Sequence, residues 1–104
     1  MKKSNNLTIN KIIDEGKLTL SLSGSLDTNT APDLEKLLNE SLGGVNALVF
    51  DLTGLKYISS AGLRILLASQ KKMAAKGSMK VVGVGEAVME IFDFTGFNDI
   101  LTIE

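Results

Sequence analysis

Apolar and polar positions alternate through much of this chain, and the period of the alternation changes at regular intervals. Leu7-Thr8-Ile9-Asn10-Lys11-Ile12-Ile13 begins with alternation and reads as a strand. Asp14-Glu15-Gly16 is a turn signal, and Leu18-Thr19-Leu20-Ser21-Leu22 alternates strictly, with one apolar and one polar face. The two runs predict a hairpin. Leu34, Leu37, Leu38 and Leu42 then form one apolar helical stripe. Thr30-Ala31-Pro32-Asp33 supplies a capping residue, an early proline and an acid for its start, and Gly43-Gly44 stops it. Ala47-Leu48-Val49-Phe50, ending at Asp51, is the continuous apolar run of a strand buried on both faces.

The segment from Thr53 to Ser59 reads as a loop. A second helix follows, with Leu63, Leu66, Leu67, Met73 and Ala74 inward, Gln70, Lys71, Lys72 and Lys76 towards solvent, and Gly77 as its stop. Met79-Lys80-Val81-Val82 is another strand. A third helix starts at Gly85-Glu86, turns Val88, Ile91 and Phe92 inward and closes near Gly96, and Ile100-Leu101-Thr102-Ile103 is a last short strand. The predicted order is β-β-α-β-α-β-α-β. The hairpin gives an antiparallel pair and the helical crossovers give parallel ones, so the fold class is α/β, a sandwich of helices on a mixed sheet.

Length and composition narrow the chemistry. The 104 residues suit one domain spanning 1–104, with residues 1–6 expected to be a flexible N-terminal segment. There are 11 Lys and Arg against 12 Asp and Glu, no His, no Cys and no Trp. Zinc sites need Cys or His, and serine and cysteine hydrolases need an imidazole, so no catalytic and no metal-binding residues are expected. No cofactor is expected either. Balanced charge argues against nucleic acid. The polar start and short apolar runs argue against a signal peptide and a membrane span, so a cytoplasmic location without membrane insertion is the expectation.

Several short patterns dissolve on inspection. Gly83-Val84-Gly85-Glu86-Ala87-Val88 resembles a dinucleotide fingerprint but has Val88 where close packing needs Gly or Ala. Ser69-Gln70-Lys71-Lys72 matches Ser-x-x-Lys on the solvated part of a helix, without the companion motifs. The glycosylation patterns at Asn6 and Asn39 have no secretory signal beside them. Asp33 suits the first turn of a helix, and Asp27 and Asp51 follow strands, which could line one end of the sheet.

The informative segment is Tyr57-Ile58-Ser59-Ser60-Ala61-Gly62-Leu63-Arg64. It joins a loop to a helix, and two adjacent serines are more than a cap needs. Ser60-Ala61-Gly62 is half of a nucleophile elbow, but Ile58 replaces the first glycine and no His can act as base. What remains is a presented hydroxyl for another protein to act on.

With these pieces in place, the sequence resembles the STAS domain family, whose best-known members are bacterial anti-sigma factor antagonists. The likeness lies in Leu22-Ser23-Gly24-Ser25-Leu26-Asp27, Leu48-Val49-Phe50-Asp51-Leu52, Tyr57 to Leu63, and Phe92-Asp93-Phe94-Thr95-Gly96-Phe97. The resemblance implies a partner switch. The unmodified antagonist binds an anti-sigma factor that is also a serine kinase, phosphorylation separates the two, and a serine phosphatase restores binding. It implies Ser60 as acceptor, with Ser59 the fallback, and a partner-binding surface of Asp27, Thr28, Ser59, Ala61, Gly62 and Arg64. Two positions depart from the family pattern: Ser59 where many antagonists carry Asp, and Arg64 where many carry Gly. An alternative role is that of an accessory subunit in a transporter or stress-signalling complex. A small nucleotide-binding or hydrolytic enzyme is the reading the composition disfavours.

Overall fold

The computed structural model describes residues 6–104. Of the N-terminal segment expected to be flexible, residues 1–5 lie outside the described residues. Asn6 is tied down, because its carbonyl accepts the Ser25 N–H at 2.6 Å.

Four strands form one sheet in the order β1-β2-β3-β4: β1 (Leu7–Asp14), β2 (Lys17–Leu26), β3 (Ala47–Ile58) and β4 (Ser78–Val82). β1 and β2 are the antiparallel hairpin, whereas β2–β3 and β3–β4 are parallel. The crossovers are α1 (Ala31–Ser41) and α2 (Ser60–Ala74), and α3 (Glu86–Thr95) follows β4. This is the mixed α/β arrangement that the periodicity predicts. No helix among the described residues is long and apolar enough to cross a membrane.

The alternation in β2 has its expected result. Leu18, Leu20 and Leu22 are buried, while Thr19 and Ser21 on the other face are only half-buried. Leu48, Phe50 and Leu52 of β3 join the same core with Leu34, Leu66, Met73 and Phe92. Val49 faces the other way and is still buried, flanked in register by Thr19 and Lys80. Central position between two neighbours explains why the run around it is apolar on both faces.

Three elements differ from their predicted form. β3 continues to Ile58, although the segment from Thr53 to Ser59 reads as a loop. β2 also runs on to Leu26, and register shifts let the two strands stay paired to their ends. Long-range pairing overrides the local signal there. The last predicted strand shrinks to a 3-10 turn (Phe97–Asp99) and a single parallel bridge from Ile103 to Val81. The 3-10 turn holds Ile100 in a right-handed helical conformation, and the N–H groups of Ile100 and Leu101 both donate to the Phe97 carbonyl, so only the end of the segment is free to pair with β4.

The third difference is in α2, where Ile65 and Ser69 are buried with Leu63, Leu66 and Met73, while Leu67 is half-buried and Ala74 exposed. Gln70, expected towards solvent, is half-buried too. Gly77 does follow the helix, but not as a left-handed cap, since Ala75 caps α2 in a right-handed conformation. A Cβ at Gly77 would fall 1.8 Å from the Asn46 carbonyl oxygen, so close backbone approach is what requires glycine.

Candidate functional site

The carboxyl ends of β2 and β3 lie side by side, with Leu26 opposite Ile58. The chain leaves both strands at the same place. The Ser59 N–H donates to the Leu26 carbonyl at 2.9 Å, which extends the ladder by one bond. The turn after β2 and the start of α2 are therefore held against each other.

The turn after β2 is braced from within. Asp27 Oδ1 accepts the N–H groups of Asn29 at 2.9 Å and Thr30 at 3.0 Å. Thr30 Oγ1 donates to the Ser25 carbonyl and accepts the Asp27 N–H, each at 2.9 Å. Thr30 was the expected side-chain cap of α1, yet it makes no cap hydrogen bond. Thr30 is fully buried and its hydroxyl is committed to the turn behind it, while the Ala31 N–H at the start of α1 donates to the Asp27 backbone carbonyl at 2.8 Å. Asp27 thus shapes the loop while remaining half-exposed at the site. Thr28, at the tip, is exposed.

Ser59 and Ser60 are not equivalent. Ser59 is the residue before α2, in extended conformation, and its side chain makes no cap hydrogen bond. Its Oγ is buried and has no hydrogen-bond partner among the described residues. Ser60 is the first residue of the helix and is exposed. The first turn of α2 contains no acid, and Lys71 and Lys72 occupy its last turn. The positive end of the helix dipole is consequently uncompensated beside Ser60.

Gly62 explains how α2 can begin so close to the strands. A Cβ there would sit 2.8 Å from Ile58 Cγ1 and 2.8 Å from Leu26 Cγ. These are branch-point and inner atoms of buried side chains, which cannot swing away freely. Gly62→Ala is expected to cost about 1–3 kcal/mol through overpacking. Urea denaturation checks this, and a loss below about 0.5 kcal/mol would show that the helix start can shift to make room.

Beside Ser60, α1 and α2 leave an open groove of about 550 Å³. Ala31, Pro32, Ala61, Ile65 and Ala68 give it an apolar floor and walls, and Thr28, Glu35, Arg64 and Lys71 supply polar and charged groups. Of the residues singled out in sequence, Thr28, Ala61 and Arg64 share this groove. Asp27, Ser59, Ser60 and Gly62 lie in the adjoining segments but do not line it. The sequence reading missed the contribution of α1. Alanines at 31, 61 and 68 are the available signal, because small side chains on facing helices leave space.

Tyr57 has no role assigned from sequence. It is opposite Ser25 near the end of β3 and is 48% exposed, an accessible aromatic beside the site. Phe94 on α3 is 93% exposed and lines none of the groove. Asp51 does not belong to this end of the sheet. It lies inside β3 opposite Ser21, well before the Leu26–Ile58 end. The Thr53 hydroxyl donates to Asp51 Oδ1 at 2.6 Å, with the Thr53 N–H at 3.0 Å, and these bonds hold its carboxyl below the usual carboxylate pKa.

Comparison with known proteins agrees with this fold. The STAS domain model matches residues 8–104, and the chain belongs to the STAS domain family. A Bordetella bronchiseptica protein named as an anti-sigma factor antagonist, BtrV, is 34% identical over 99 residues, covering 93% of this chain and 84% of its own. The crystal structure of an anti-sigma factor antagonist from Mycobacterium paratuberculosis superposes with a TM-score of 0.86 at 28% identity, covering 99% of this chain and 89% of that one. The Bacillus cell fate determinant SpoIIAA in its phosphorylated form shares the fold, with a TM-score of 0.71 at 15% identity, over 94% of this chain and 90% of that one.

Proposed function

We propose that this protein is an anti-sigma factor antagonist, switched off by phosphorylation of Ser60. Its partner is an anti-sigma factor that is also a serine kinase. The partner docks over the joined ends of β2 and β3, covering Asp27, Thr28, Ala61 and Arg64, while Gly62 and the Ser59 side chain, expected in the same surface, are buried beneath it and set how closely α2 approaches the strands. A serine phosphatase returns the modified form to the active one. The protein itself is a binding component and not an enzyme.

The observation that carries this reading is the exposed Ser60 hydroxyl at the start of α2, beside a turn held rigid by Asp27. The relatives named as anti-sigma factor antagonists support the role. The contrast between the two serines supports Ser60 over Ser59, since a kinase cannot reach a buried Oγ without moving the helix start. A phosphate at the head of α2 also meets a favourable helix dipole, worth roughly 0.3–1 kcal/mol, and the fold tolerates it.

The test uses the kinase encoded beside this protein's gene or co-purifying with it. Incubation with ATP and mapping by mass spectrometry should place one phosphate on Ser60, and Ser60→Ala should abolish incorporation. Phosphate that persists on Ser59 in that variant would overturn the assignment.

A further inference from the structure

We infer that Arg64 holds the phosphate carried by Ser60, as an intramolecular partner one helical turn away. This rests on the reading of Ser60 as the acceptor. The kinase transfers the γ-phosphoryl group of ATP, forming the Ser60 Oγ–P bond, breaking the bond to the β-phosphate oxygen, and releasing ADP and the hydroxyl proton.

Ser60 and Arg64 occupy positions i and i+4 of α2, which puts their side chains on one face. Long side chains in helices lean back towards the N-terminus, so a guanidinium at position 64 is within reach of a phosphate on Ser60. Both residues are exposed. The single ion pair among the described residues joins Lys80 to Glu104, which leaves the Arg64 guanidinium without a carboxylate. Its planar fork of donors matches two phosphate oxygens at once, a geometry that a lysine ammonium lacks.

The neighbouring charges are few. Glu35 lines the same groove from α1 and competes for the guanidinium, whereas Lys71 lines it from α2 and adds to the positive field. The Asp27 carboxylate has one oxygen committed to its own turn. Arg64 thus serves as a positioning residue in the modified protein. It draws the phosphate along α2 towards the groove, and modification changes the groove as well as Ser60.

The experiment uses the full chain with phosphoserine installed at position 60 during synthesis, so it does not depend on any kinase. The second ionisation of the phosphate is followed by 31P NMR titration in the parent phosphoprotein and in its R64Q and R64K forms. With Arg64 present the acid dissociation constant should be about threefold larger than in R64Q, and R64K should fall between. The difference should shrink in high salt. Because Arg64 is exposed, the unmodified R64Q protein should melt with the parent. Identical titration of the R64Q and parent phosphoproteins would overturn the inference. Failure of the cognate kinase to modify Ser60 would instead overturn the proposed function and leave this measurement standing.

Discussion

Ser60→Glu is expected to weaken anti-sigma factor binding by about a hundredfold or more while leaving the domain folded, and phosphorylation should weaken it further. The two environments of the added charge decide this. In the free protein, an acid at the first position of α2 faces the positive end of the helix and gains roughly 0.3–1 kcal/mol. In the complex it is enclosed between two proteins. Opposite a partner acid at about 4 Å, with an effective dielectric of ~20, the repulsion is ~4 kcal/mol. At about 1.4 kcal/mol per decade, that is close to a thousandfold. The interface effect exceeds the intramolecular one several times over. Calorimetric titration of the kinase with parent, S60A and S60E proteins checks the result. S60A should bind within a few fold of the parent, and equal binding by S60E would mean that the partner docks elsewhere.

Phe50→Ala is expected to cost about 3–5 kcal/mol. Phe50 is fully buried at the centre of the sheet, between Leu20 of β2 and Val81 of β4. Its removal opens a cavity against three elements that cannot all collapse inward. Domains of this size hold about 5–15 kcal/mol of net stability, so the variant should be partly unfolded near physiological temperature. Chemical denaturation of parent and variant measures the difference. A loss below about 1 kcal/mol would show that the surrounding leucines close the space.

Sequence period alone reveals most of this architecture. The strict alternation of Leu18, Leu20 and Leu22 and the continuous run around Val49 each report a local environment, one face covered or two. The helix stripes did the same for Leu34, Leu38, Leu66 and Phe92. The features that escaped depend on distant partners. Thr53 to Ser59 is a loop in isolation, and it becomes strand as far as Ile58 only because β3 takes up two extra residues to stay beside β2. One difference is local instead: Thr30 has the side chain of a helix cap, but its hydroxyl turns back to Ser25 and Asp27. Ile100 to Ile103 has strand character, but the turn before it keeps the Ile100 and Leu101 N–H groups on Phe97.

The candidate site divides in the same way. Its serines stand out because they sit together at a strand-to-helix junction in a chain with no histidine. Their inequality does not stand out, since it arises from the ladder bond between Ser59 and Leu26. The groove is hidden for a related reason: neither α1 nor α2 alone shows where their facing surfaces will fail to meet.

The bond from Ser59 to Leu26 has a kinetic consequence. It fastens the two site segments to the ends of a paired strand unit, so neither must be ordered during encounter. Association then requires only diffusion and correct orientation, the regime of about 10⁵–10⁷ M⁻¹s⁻¹. A charge added to a surface already in its bound shape shortens the residence time of the partner more than it slows its arrival. In the proposed switch, partner exchange then needs no refolding step.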